Sequence, residues 1–97
     1  MNMQALMQQA QKMQKDIMKK KEAIDAKEFV GKSELVEVTF TGAKKMVSVK
    51  FKEGIEADDL EILQDMIVIA VNDAISKIEA ETESALGAYG NQLNGLF

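Results

Sequence analysis

The stretch that most constrains this chain runs from Asp58 to Ile78, DDLEILQDMIVIAVNDAISKI. It reads as a helix with a marked start. Asp58 is placed to cap the free N–H groups of the first turn, and Glu61 stands three residues on, where it reaches back to the cap. Asp59 adds negative charge at the positive end of the helix dipole. Leu60, Leu63, Ile67, Ala70, Val71, Ala74 and Ile78 then recur at three- and four-residue steps, along one face. A surface helix needs only that stripe. Here Ile62, Met66 and Ile69 form a second apolar set, turned well away from the first. A helix that is apolar on two sides needs cover on two sides, and 97 residues leave little chain to provide it. The second face therefore predicts contact with another copy of the protein, which also lets a small domain share a core.

The rest of the chain is arranged around that helix. Residues 2 to about 26 read as a first helix, rich in Ala, Gln, Met, Lys and Glu and free of Gly and Pro. Met3, Leu6, Ala10, Met13, Ile17 and Ile24 keep a seven-residue a/d pattern, expected to form an inner face, with Met7 and Met18 outside it as further candidates for contact with a second subunit. The middle third switches to period two. Val36, Val38 and Phe40 alternate with mostly polar neighbours, and so do Val47, Val49 and Phe51, which gives two half-buried strands. Gly42 lies in the turn between them and is expected to supply a positive φ. Upstream, Glu28 to Ser33 reads as a weaker strand at an edge. The expected fold is α+β, a two-layer α-β-β-β-α arrangement with a three-stranded antiparallel sheet and both helices on one face. Residues 1–86 form the single domain, and the Gly- and Asn-rich residues 87–97 a flexible tail.

Composition removes several function classes. The chain has no Cys and no His, hence no disulfide, no thiolate metal site and no Ser-His or Cys-His catalytic pair. Thr41-Gly42-Ala43-Lys44 is a hairpin turn without the remainder of a phosphate-binding loop. Asp58, Asp59, Glu61 and Asp65 are explained by helix capping and the dipole. No enzyme, metal site, cofactor or small-molecule substrate is expected. Asn72-Asp73, polar within the most apolar stretch, is either a solvent-facing gap or a polar contact at a subunit boundary. The longest apolar block, Met66 to Val71, is far too short for a membrane span, and the polar N-terminus lacks a signal peptide's apolar core. The expectation is a soluble cytoplasmic protein.

The net charge of −4 conceals a split. Residues 1–55 hold eleven Lys against seven acids, whereas residues 56–97 hold one Lys against nine. The plain account is that these charges solvate two amphipathic helices, yet asymmetry between halves is also the pattern of a polyanion partner. Lys12, Lys15 and Lys19 are spaced to share one exposed strip of the first helix, with Lys20 and Lys21 beside its end. Every basic residue is Lys and none is Arg. Lys acts as a point charge on phosphate and lacks the fork that reads guanine edges, so any nucleic-acid binding should be indifferent to sequence.

Three segments carry a resemblance: LMQQAQKMQKDI (Leu6 to Ile17), VEVTFTGAKKMVSVKF (Val36 to Phe51) and DDLEILQDMIVIAVNDAISKIEAE (Asp58 to Glu81). In this order and spacing the chain resembles the YbaB/EbfC family of small bacterial nucleoid-associated proteins, over residues 3 to 86. The resemblance implies the α-β-β-β-α fold, a homodimer whose helices project as a pair of arms, and DNA held between them. Two features depart from the family: Glu53-Gly54 replaces an Asp-Pro-like step after the last strand, and Arg is absent. The family offers no invariant contact motif to transfer, so the DNA-contact candidates are chosen on charge. They are Lys12, Lys15, Lys19, Lys20 and Lys21 on the first helix, Lys44 and Lys45 at the hairpin, and Lys50 and Lys52 on the outer sheet face. The dimer-interface candidates are Met7, Met18, Ile62, Met66 and Ile69. The competing reading is a prefoldin-like protein-binding module that uses Met-rich helices and binds no DNA.

Overall fold

The structure, a computed structural model, describes residues 2–87 and Tyr89. In chain order it contains α1 (Met3–Ala26), β1 (Glu28–Lys32), β2 (Val36–Thr41), β3 (Met46–Phe51), a short 3-10 turn (Ala57–Asp59) and α2 (Leu60–Leu86). The strands form one antiparallel sheet in the order β1-β2-β3. This is the α+β arrangement expected from the sequence. Apart from Gly87 and Tyr89, the expected flexible tail lies outside the described residues.

The Asn2 side chain caps α1, accepting a hydrogen bond from the Gln4 N–H at 3.0 Å. The helix stops where strand pairing begins, since the carbonyl of the extended residue Lys27 accepts the Gly42 N–H at 2.9 Å. The start of α2 differs from the expectation. Glu56 caps the 3-10 turn, its backbone N–H donating to Asp59 Oδ2 at 3.0 Å, so the cap lies two residues earlier than Asp58. The helix also continues past the polar residues after Ile78 as far as Leu86, which is buried.

Gly31 sets the central packing. A Cβ there would lie 2.1 Å from the Ala70 carbonyl oxygen and 2.7 Å from the Ala74 Cβ, so only glycine opposite two alanines lets α2 approach β1 this closely. Ala70 and Ala74 are fully buried, and Phe29, Val36, Val38, Phe40, Leu63 and Ile78 complete the core around them. Gly42 is explained in the same way. Its φ is not positive; the left-handed residue of the hairpin is Lys44, at φ 68°. A Cβ on Gly42 would meet the Ile24 carbonyl oxygen at 1.8 Å, so glycine is required where the hairpin abuts the end of α1.

Two expectations change with this packing. The helices do not share the sheet equally: α2 covers β1 and β2, while α1 lies chiefly along α2 and meets the sheet mainly at β2. Consequently Val47, Val49 and Phe51 of β3 stand 45–55% exposed, although Val49 and Phe51 pair with the buried Val38 and Val36. In α1 only Ile17 and Ile24 are buried, and Met3, Leu6, Ala10 and Met13 are exposed with the whole segment up to Asp16. That segment is about 21 Å of helix at 1.5 Å per residue, and the molecule measures 70 × 19 × 17 Å.

Candidate nucleic-acid interface

Part of the charge split becomes a separation in space, because α2 runs antiparallel to β1 and α1 and its first acids start far from the lysines of α1, while Glu79, Glu81 and Glu83 return toward that helix. A ladder of contacts shows this. The Ser33 hydroxyl donates to the Met66 carbonyl at 2.8 Å, the Lys32 N–H to Asp73 at 2.9 Å, and Lys77 to the Val30 carbonyl at 2.7 Å. Lys27 then pairs with Glu81 at 2.5 Å, and Lys20 lies 5.2 Å over the Tyr89 ring. Advancing along α2 therefore means moving back along the chain toward the exposed half of α1. Asp58, Asp59, Glu61 and Asp65 sit at one end of the molecule, and Lys12, Lys15 and Lys19 lie beyond the other end of α2. From Asp65 to Leu86 alone α2 extends about 30 Å at its normal rise.

The candidate lysines divide into groups. Lys12, Lys15 and Lys19 are exposed on α1 and span about 10 Å of its axis. Lys44 and Lys45 are exposed at the hairpin, which Gly42 seats against the C-terminal end of the same helix. Among the described residues none of these five ammonium groups makes a hydrogen bond or ion pair. Lys20 and Lys21 are engaged within the chain: Lys20 with the Tyr89 hydroxyl at 3.4 Å and with its ring, Lys21 with Asp25 at 2.9 Å. Lys50 and Lys52 stand elsewhere. The Lys52 N–H bonds the Leu35 carbonyl, at the end of the sheet remote from the hairpin and some 24 Å along the strand from Lys45. Lys50 faces Glu37 on the outer sheet face, and across Glu37 stands Lys32. Sequence reasoning passed over Lys32 because cross-strand register, its only signal, becomes visible once the strands are paired.

Of the interface candidates, Met7, Met18, Ile62 and Ile69 are 46–60% exposed. Met66 is half-buried against the core. Asp73 is neither a solvent gap nor free for a partner. The Lys32 N–H and the Lys77 ammonium, 3.2 Å away, hold its carboxyl below the usual aspartate range. Among the described residues no group of carboxylates is arranged to hold a metal ion, and no helix is long and apolar enough to cross a membrane.

The sequence and the fold are matched by known proteins. The sequence pattern of the YbaB/EbfC DNA-binding family fits residues 1–93. The chain belongs to this family. Nucleoid-associated proteins of Enterococcus faecalis and Streptococcus uberis are 46% and 49% identical to it over 97 and 96 residues, covering 97% and 96% of this chain and 93% and 97% of theirs. The crystal structure of an uncharacterised Helicobacter pylori protein, HP0035, superposes with a TM-score of 0.75 at 22% identity, covering 93% of this chain and 99% of that one. That likeness shows a shared fold.

Proposed function

We propose that the protein is a homodimeric, nucleoid-associated DNA-binding protein that grips the phosphate backbone with lysine side chains and is tolerant of sequence. The observation that carries this reading is the unpaired strip of Lys12, Lys15 and Lys19 on the exposed half of α1, reinforced by Lys44 and Lys45. Membership of the YbaB/EbfC family and the names of the relatives support DNA as the partner. Ammonium groups alone favour phosphate over base edges, which is why sequence should matter little. Homodimerisation is supported by the bare apolar surface of β3 together with Ile62 and Ile69. Lys50 and Lys52 take a minor part in this reading, being remote from the strip, and Lys20 and Lys21 act through the residues they already hold.

Fluorescence anisotropy with a random-sequence duplex tests the proposal. For three to five neutralised phosphates, affinity should fall about 40- to 500-fold between 50 and 200 mM salt. Lys12→Ala/Lys15→Ala/Lys19→Ala should remove most of that dependence, and Lys50→Ala/Lys52→Ala should leave it nearly intact. A flat salt profile for the parent overturns the phosphate clamp. The exposed Met3, Met7 and Met18 favour one alternative, a protein-binding module; in that case polar substitutions at Met7 and Met18 abolish activity while the lysine changes do not.

A further inference from the structure

The projecting half of α1 carries an apolar stripe that the described residues leave bare. Ile17 and Ile24 are buried on one face of the helix, and Met13, Ala10, Leu6 and Met3 continue that face at three- and four-residue steps. Exposure rises along it, from 3% at Ile17 to 36% at Met13, 42% at Leu6 and 74% at Met3. The cover therefore runs out one turn beyond Ile17. Helices of this length owe most of their stability to packing of the apolar face, so this half of α1 calls for an occupant.

The chain arrives at that point from the other side. Leu86 is buried, and Tyr89 packs against the core with its hydroxyl 3.4 Å from Lys20 Nζ and its ring beneath the same ammonium. Tyr89 thus stands where the covered part of α1 ends. In the sequence, Leu86, Tyr89, Leu93 and Leu96 recur at steps of three, four and three, with Phe97 beside the last. Two members of that series are already seated. No residue after Glu83 is charged, so laying this segment on an apolar face desolvates no ion.

We infer that residues 90–97 of the same chain cover the stripe, with Leu93, Leu96 and Phe97 seated on Met13, Ala10 and Leu6. The length fits. Along the axis of α1, Met13 lies about 10 Å and Leu6 about 21 Å beyond Lys20. Residues 90–97 span about 12 Å as helix, enough to reach Met13, and about 26 Å when extended, enough to pass Leu6. Tethered at Tyr89, the segment is held near the stripe at about millimolar effective concentration, against which any separate molecule must compete. The lysine strip stays clear, because Lys12, Lys15 and Lys19 lie roughly 160° around the helix from the apolar stripe. The tail thus braces the arm from behind and leaves its ammonium groups facing outward.

Amide exchange of the full chain, followed residue by residue by NMR, tests this. Leu93→Ser/Leu96→Ser/Phe97→Ser should speed exchange between Leu6 and Met13 at least about tenfold, while Ala70 and Ala74 keep the parental rate. Unchanged exchange between Leu6 and Met13 overturns the inference. If the triple variant does not fold, a probe on the otherwise parental chain decides. The chain has no Cys, so Asn94→Cys carries a single nitroxide, which should broaden the amide signals of Leu6, Ala10 and Met13. Signals that stay sharp remove the docking. A mixture of nitroxide-bearing chains with isotope-labelled, probe-free chains identifies the source. Sharp signals in the mixture support docking within one chain, and broadened ones place the tail on a second copy and overturn the inference. Neither readout involves DNA, so failure here leaves the proposed function standing.

Discussion

At β1, Gly31 admits α2 until the Ala70 carbonyl and the Ala74 methyl fill its place, and the neighbouring core is sealed. Two strands away, Val47, Val49 and Phe51 carry the same period-two apolar pattern and remain about half exposed. β2 and β3 carry the same alternation, Val36, Val38 and Phe40 against Val47, Val49 and Phe51; they differ in which of them a helix reaches. A helix is about 10 Å across and strands lie about 4.8 Å apart, so one helix covers two strands and leaves a third bare. A second helix lying on β3 would have completed the layer, but α1 packs on α2 instead. The bare strand is thus a consequence of where the glycine and the alanines fix α2, and it supplies the surface on which a second chain is proposed to sit.

The covered side should respond most strongly to substitution. Gly31→Val forces α2 off β1, and a loss of more than ~3 kcal/mol is expected, enough to leave this small domain largely unfolded in a urea titration. A Gly31→Val protein with parental stability would mean that α2 does not rest on β1 as described. Next, Ile78→Ala opens a cavity in the core and should lower stability by about 2–4 kcal/mol at any protein concentration. Val49→Ala should differ in kind: under ~1 kcal/mol in dilute solution, where chains are apart, with a larger effect only at concentrations where the parent is dimeric. Equal, concentration-independent losses at the two positions would erase the distinction between covered and bare strand.

Ile69→Asp sharpens the comparison on α2 itself. Ile69 is 50% exposed on the side away from the core, so the carboxylate is solvated in a single chain and desolvated in a dimer. The variant should fold and run as a monomer in analytical ultracentrifugation; a full-strength dimer would place the interface elsewhere.

The smallest effect concerns Asp73, whose folded carboxyl titrates below its unfolded value near pH 4 because of the Lys32 N–H and Lys77. Its contribution is complete above that unfolded value and declines as pH falls through the lower folded one. The acid limb of thermal stability should therefore be shallower for Asp73→Asn than for the parent. Identical limbs would show that the contact adds no pH-linked stability.

Much of the fold was legible in the residues. Period-two and three-to-four spacings separated strands from helices, and of the second apolar set on α2 Ile62 and Ile69 stay exposed while Met66 packs against the core. The charge split proved spatial only in part: the acids at the start of α2 lie far from the lysines of α1, whereas Glu79, Glu81 and Glu83 come back beside that helix. The capping position was misread: Asp58 and Glu61 satisfy the local pattern, but the chain turns two residues earlier, at Glu56. The role of Gly42 was misread for a similar reason, since close approach and positive φ both call for glycine and local sequence does not separate them.

By itself the sequence determined the element types, their order and the sign of charge on each, because those follow from propensity and periodicity within a few residues of chain. Tertiary structure decided what touches what: that α1 lies on α2 and leaves β3 bare, that Lys20 meets Tyr89 while Lys19 stays free, and that Asp73 and Lys77 reach the backbone of β1. Those outcomes depend on contacts between residues up to 69 positions apart. Interhelical register and strand pairing set them, and both are products of packing the whole chain at once.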